Sequence, residues 1–453
     1  MPKAKKKSTA SFPADLSTET GGSLKSLDLS GIGSTKSLKM NLAPRLNLIT
    51  GDNGLGKSFL LECAWWALTE TWTNYPIFPR PDVEKNEPKI SFQIQGSSGN
   101  ANTIAARYDW RLQDWVVNSK EKKTAPGLVL YARIDGAFAI WDPVRFVENP
   151  GQSNGKAHSL IFSREEVWDG VRVEGPGGKT RSIFNGLLTD WIHWQSSGSE
   201  SFEILKKVMK RLSPPDLSKG DLGPLEPGEP ARIPGETRPI PTIRHPYGEV
   251  PVVFASAAVK RVLAFAYLLV WTWEEHKALA SLMKEETQGK MVFLADEIES
   301  HLHPQWQRVL LPALVSVADD LSKELNIQFL ITTHSPLVLA SAEPIFKEEA
   351  DSIFHFNLEQ EGKQTPHVVL KEVPFVRRGS ADSWLVSEIF ELKQPTSVES
   401  EQAIEAAKSL MKQDVVEKEA IKKLSEKLML LVPAHDKFWV RWNYFAEQHG
   451  IEL

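Results

Sequence analysis

The feature that most constrains this chain is the stretch Gly51-Asp-Asn-Gly-Leu-Gly56-Lys57-Ser58, set between the apolar run Leu46–Thr50 and an apolar segment that begins at Phe59. It is a full GxxxxGK[ST] match in strand–loop–helix context. Glycines let the backbone wrap phosphate groups with its N–H donors, and the helix N-terminus adds partial positive charge. The expected ligand is ATP with Mg²⁺. Gly51, Asp52, Asn53, Gly54, Leu55, Gly56, Lys57, Ser58 and Phe59 are therefore candidate nucleotide-binding residues. Lys57 is expected to reach the β- and γ-phosphates, and the Ser58 hydroxyl to coordinate Mg²⁺.

A second apolar run, Met291–Ala295, ends in Asp296 and Glu297. A strand ending in acids is weak evidence alone, because many strands end so simply to face solvent. Downstream of a phosphate loop, the pair predicts Asp296 in the Mg²⁺ shell and Glu297 polarising the attacking water. A third apolar strand ends in Thr332-Thr333-His334-Ser335-Pro336, which makes His334 a candidate γ-phosphate sensor. Lys57, Glu297 and His334 are the candidate catalytic set. The last motif is Ala255-Ser256-Ala257-Ala258-Val259-Lys260-Arg261, at the start of the strongest helical segment, 256–282. Ser256 reads equally as an ordinary N-cap or, since its place resembles that of the ABC-type signature motif, as the serine that such ATPases turn towards phosphate on a second subunit.

Strands alternating with helices around these motifs predict an α/β fold with a mainly parallel sheet, and the order of the motifs resembles that of an ABC-type P-loop ATPase domain, here over 24–372. Residues 88–175 read as a β-rich inserted lobe and 214–251 as a Pro/Gly-rich extended connection. Residues 1–23 read as a disordered basic tail, and 373–453 as a helical C-terminal region. In that last region Phe438, Trp439, Trp442, Tyr444 and Phe445 either close a core or form a surface for assembly or partner docking. The net charge of −5 argues against wholesale nucleic-acid coating and leaves a local basic groove for DNA open. The one cysteine, Cys63, excludes a disulfide framework and fits a cytoplasmic location, and no apolar run is long enough for a membrane span.

Together the motifs resemble the ABC-type AAA ATPases of prokaryotic DNA repair and antiphage defence, related to the RecF, SMC and OLD proteins. Glu297-Ile-Glu299-Ser-His301-Leu-His303-Pro304 is similar to that group's stretch after the two acids, which accounts for a His-x-His pair that would otherwise suggest a metal. Residues 128–143, 184–195, 255–276 and 436–450 resemble the ATPase subunits of Septu-type defence systems (the PtuA family) and their retron-associated relatives. That resemblance implies a homo-oligomer, at least a dimer, that scaffolds and regulates a separate HNH-type nuclease of the PtuB kind. It also implies that no nuclease site lies in this chain, and the segment after His334 has no Asp-x-Asp pair. In one departure, alanine replaces the glycine expected after Ser256, and its Cβ crowds any backbone approach to phosphate. Two other readings stay open: a RecF-like DNA-repair ATPase, and a nucleotide-sensing scaffold with little turnover. Gln195 and Gln93 are both candidates for the glutamine that links such sites to the rest of the fold.

Overall fold

The computed structural model describes residues 21–34, 36–84, 87–96, 98–99, 101–117, 124–145, 159–175, 178–215, 224–360, 366–413 and 415–452. Most of the expected basic tail lies outside them. In chain order the elements are β1 (Ser23–Ser30), β2 (Ser37–Asn41), β3 (Leu46–Gly51), α1 (Lys57–Thr69), β4 (Lys89–Gln95), β5 (Thr103–Asp109), β6 (Asp114–Val117), β7 (Leu128–Ala132), β8 (Phe138–Trp141) and β9 (Leu160–Phe162). There follow α2 (Arg164–Asp169), β10 (Val171–Glu174), β11 (Thr180–Phe184), α3 (Leu187–Ser197), α4 (Glu200–Leu212), β12 (Glu226–Pro227), β13 (Thr242–His245), β14 (Gly248–Pro251) and α5 (Ala257–Met283). Then come β15 (Lys290–Ala295), α6 (Pro304–Ser316), α7 (Ala318–Leu321), β16 (Asn326–Thr332), α8 (Pro336–Ala342), β17 (Asp351–Glu359) and β18 (His367–Val373). Four helices close the chain: α9 (Ala381–Leu385), α10 (Val398–Leu410), α11 (Lys418–Leu431) and α12 (Phe438–Gln448).

The large sheet has the order β18-β17-β3-β16-β15-β7-β8-β9. Its centre, β17 through β7, is parallel, and the strands outside it are antiparallel. This is the mixed, mainly parallel α/β sheet expected. The central strands are almost wholly buried, which explains why LNLIT, MVFLA and IQFLIT are mostly apolar on both faces rather than alternating, with buried Asn47 and Gln328 hydrogen-bonded to backbone. A second, antiparallel sheet has the order β2-β1-β4-β5-β6. It packs with α1 in one core that contains Leu27, Ile90, Phe92, Trp65 and Trp66. Trp66 stacks on Trp72 with ring centroids 5.6 Å apart. Full burial of such large side chains contributes roughly 1.5–3 kcal/mol each, so several of the tryptophans conspicuous in the sequence belong to the core.

Two segments differ in detail from expectation. The strand-rich stretch 88–175 is divided: β4–β6 complete the antiparallel sheet, while β7–β9 extend the large sheet beside β15. The segment 214–251 is more than an extended connection, because it folds back as the three-stranded sheet β12-β13-β14. Thr242 and Ile243 are buried there, and the Thr242 hydroxyl donates to Glu229 O at 2.8 Å. Pro246 suits the tight turn that joins β13 to β14. Between the segments 88–175 and 214–251 lie two separate helices, because Gly198, at φ 62°, ends α3 and Ser199 caps α4.

The chain divides after Arg377 into two compact units. In the second unit Trp442 is fully buried among Ile404, Ile421 and Leu428, and its indole donates to Ser425 Oγ at 3.0 Å. Phe445 belongs to the same core, whereas Val440 and Tyr444 are exposed. Phe438 and Trp439 pack against that core as well, so four of the five C-terminal aromatics help to close it and Tyr444 alone of them is exposed. Trp442→Ala should destabilise this unit by about 3–5 kcal/mol, the usual cost of truncating a buried tryptophan. A denaturant melt with unchanged midpoint would contradict that packing.

Candidate nucleotide site

Three adjacent parallel strands, β3, β16 and β15, end on the same side of the sheet, and each delivers one motif. Carboxyl ends of parallel strands are where open α/β sheets place their ligand sites. Beyond β3 the chain turns through Gly51, Gly54 and Gly56, whose φ values are 136°, 82° and 108°. At Gly51 a Cβ would lie 2.6 Å from both Cβ and O of Phe356 on β17, so a side chain there is excluded on two counts. At Gly54 the corresponding space is open. Asp52, Asn53, Gly54 and Ser58 are exposed, and Leu55, Gly56 and Phe59 are half-buried. The Phe59 ring packs on Gly33, and Ser34 Oγ donates to Leu55 O at 2.9 Å, so the turn after β1 braces the loop.

Lys57 is buried in the first turn of α1. Its ammonium donates to Gly51 O at 2.7 Å and Asp52 O at 3.0 Å. Burial pulls its pKa below the usual lysine value, and Glu297, Asp296, Glu299 and Asp52 act in the opposite direction. A cation among carboxylates at the base of a glycine loop fits a polyphosphate, which would bring charge of the sign Lys57 requires.

Asp296 is buried, and its Oδ1 accepts from Thr332 Oγ1 at 2.7 Å. The same hydroxyl oxygen accepts from the Glu297 N–H at 2.8 Å. Thr332 therefore ties the β16 end to both acids. Glu297 has a φ of 44°, a left-handed conformation that costs a residue with a side chain about 1–2 kcal/mol. Arg261, from the first turns of α5, donates to Asp296 O at 3.1 Å and Glu297 O at 3.2 Å, which helps hold that backbone. Among the described residues no group of three or more His, Cys, Asp or Glu could hold a metal. Mg²⁺ in nucleotide sites takes one or two protein oxygens together with phosphate and water, and Ser58 with Asp296 fits that kind of set. His303 caps α6, its ring nitrogen accepting from Gln305 N at 3.4 Å.

His334 is partly exposed, with Nδ1 3.1 Å from Glu299 Oε1 and 3.8 Å from Glu297 Oε1. Its backbone N–H donates to Glu299 Oε1 at 2.7 Å, and Thr333 Oγ1 donates to Glu299 Oε2 at 2.8 Å. Glu299 thus clamps the loop that carries the histidine. Sequence reasoning gave no role to Glu299, Thr332 or Arg261; the carboxylate two residues after Glu297 was the only available signal. Ser256 is the exposed N-cap of α5, its hydroxyl accepting from Val259 N at 3.3 Å, and Ala257 and Ala258 lie in the first turn. The glutamine candidates are engaged elsewhere. Gln195 donates to Gly228 O at 2.9 Å, and Gln93 on β4 donates to Thr103 Oγ1 at 2.7 Å.

Family models agree with this geometry. Residues 26–161 match a model described as "AAA domain", and residues 252–340 one described as "AAA domain, putative AbiEii toxin, Type IV TA system". Two segments of this chain are thus matched by AAA-domain models. The two matches cover β3, the glycine loop, β15 and β16, so every motif of the site falls inside a matched segment. The chain is similar to the Septu protein PtuA of Bacillus thuringiensis, 21% identical over 394 residues that cover 81% of this chain and 83% of that protein. It is also similar to the Retron Ec83 probable ATPase of Escherichia coli, 32% identical over 106 residues, 23% of this chain and 16% of the relative. Among solved structures it matches the SMC head domain from Thermotoga maritima at 12% identity and TM-score 0.35, over 78% of this chain and 99% of that one. The structure of the recombination mediator protein RecF with ATP matches at 13% identity and TM-score 0.35, over 79% and 99%. Among the described residues no helix is long and apolar enough to cross a membrane.

Proposed function

We propose that this chain is the ATP-binding and ATP-hydrolysing subunit of an antiphage defence complex, a homo-oligomer that scaffolds and regulates a separate HNH-type nuclease. The observation that carries the defence assignment is the similarity to the Septu protein PtuA, which extends over most of both chains. The chemistry rests on the three strand ends. Bound Mg²⁺–ATP would supply an activated terminal phosphoryl group. The loop N–H groups and Lys57 bind and orient its phosphates, while Ser58 and Asp296 hold the metal shell. Glu297 takes the proton of the attacking water, with Thr332 and Arg261 fixing its backbone. His334, held by Glu299, reads the γ-phosphate position.

Assembly enters through Ser256. In this reading the exposed N-terminus of α5 faces nucleotide on a second copy. Ser256→Arg should leave ATP binding to a single chain nearly intact while reducing ATP-dependent association and turnover. Light scattering with ATP and Mg²⁺ checks this, and a wild-type chain that stays monomeric at high concentration contradicts the composite site. The nuclease part is tested by native purification: an HNH-type protein should accompany the chain, and its consistent absence would sink that part. The alanines in the first turn of α5 favour one second reading, a nucleotide-sensing scaffold with little turnover. An ATP turnover assay with and without DNA separates the two.

A further inference from the structure

One carboxylate beside the loop has no part in the roles above. Glu62 follows Ser58 by four residues on α1, so the two side chains share a helix face, with Cβ atoms about 5–6 Å apart. Its Oε1 accepts from Thr73 Oγ1 at 2.5 Å and lies 3.5 Å from Arg133 Nη1. Arg133 also donates to Thr73 Oγ1 at 2.6 Å and pairs with Asp135 at 2.9 Å. The other oxygen, Oε2, is buried without a hydrogen-bond partner among the described residues. Asp296 is close by: its N–H donates to Ala132 O at 2.9 Å, the residue before Arg133. Burial raises the Glu62 pKa; hydrogen bonding from Thr73 and the Arg133 charge oppose the rise, and the Asp296 charge adds to it.

A glutamine could still accept the Thr73 hydrogen bond, without the charge that faces Arg133, and would remove the repulsion with Asp296. Thr73 and Arg133 account for one oxygen, whereas Oε2 has no donor among the described residues, and a buried acceptor without a donor is costly. A water bound to a divalent cation is a strong donor, and Mg²⁺ keeps several of its waters in protein sites. We propose that Glu62 is a positioning residue for the metal: its free oxygen accepts a hydrogen bond from a water of the cation held by Ser58 and Asp296, while Thr73 and Arg133 fix the carboxylate. This role rests on the ATPase reading of the site.

The test is calorimetric titration of ATP into the full chain, in Mg²⁺ and in EDTA. For Glu62→Gln the affinity in EDTA should match wild type, while the gain on adding Mg²⁺ should fall about tenfold or more, the usual loss for an outer-sphere partner. Its melting temperature should stay near wild type, because the Thr73 bond survives. Thr73→Val should do the reverse, lowering the melting temperature with a smaller effect on the Mg²⁺ gain. An unchanged Mg²⁺ gain in folded Glu62→Gln overturns the proposal. If that variant does not fold, Glu62→Asp carries the test: it keeps the charge and withdraws the oxygen, and a wild-type Mg²⁺ gain again overturns the role. A wild-type chain that bound no ATP would instead overturn the ATPase reading, and this role with it.

Discussion

Replacing Lys57 with alanine should abolish tight ATP binding. The ammonium is buried and donates to two loop carbonyls, so it is already held at the base of the glycine turn. A hydrogen bond to a charged group contributes about 1.5–3 kcal/mol. Losing two such bonds to phosphate would weaken binding roughly 10²–10⁴-fold. Lys57→Met, which keeps much of the aliphatic stem, should show nearly the same loss, and a melting curve would separate lost binding from lost fold. Calorimetric affinity equal to wild type in both variants would refute the assignment of Lys57.

Glu297→Gln should keep ATP binding and slow hydrolysis by ~10²-fold or more, since a positioned general base typically contributes 10²–10⁴-fold. The amide is isosteric, so the Thr332 contact to the residue 297 N–H and the Arg261 contact to its carbonyl persist. Asp296 remains available to the metal. With turnover blocked, the ATP-bound oligomer should accumulate. Phosphate release at the wild-type rate would show that Glu297 is not the base, and Glu299 is then the carboxylate to test next, given its contact with His334.

Much of the site was legible in the sequence because its parts are local. A buried parallel strand is a short apolar run, and the residue that leaves it at its carboxyl end is the one that can face a ligand. LNLIT before Gly51, MVFLA before Asp296 and IQFLIT before the TTHS loop obey that rule. The glycine loop is equally local, because positive φ at Gly51, Gly54 and Gly56 is a property of those residues themselves. Strand existence away from such motifs was harder to read. β17 and β18 lie beyond His334, and β17 completes the parallel core on the far side of β3.

Local chemistry, then, was written in consecutive residues: phosphate loop, paired acids, strand-end histidine and the capped start of α5. Partnership across the fold was not, because it depends on strand order and register that no short window carries. β16 inserts between β3 and β15, and that order alone brings Thr332 to Asp296 and Glu299 to His334. The approach of Arg261 to the carbonyls of Asp296 and Glu297 likewise requires α5 to pack back on the strand that follows it. Phe356 shows the same dependence from the other side, closing the space above Gly51 only because β17 pairs with β3. Partners tens to hundreds of residues apart in sequence are chosen by backbone pairing, and only the folded sheet decides them.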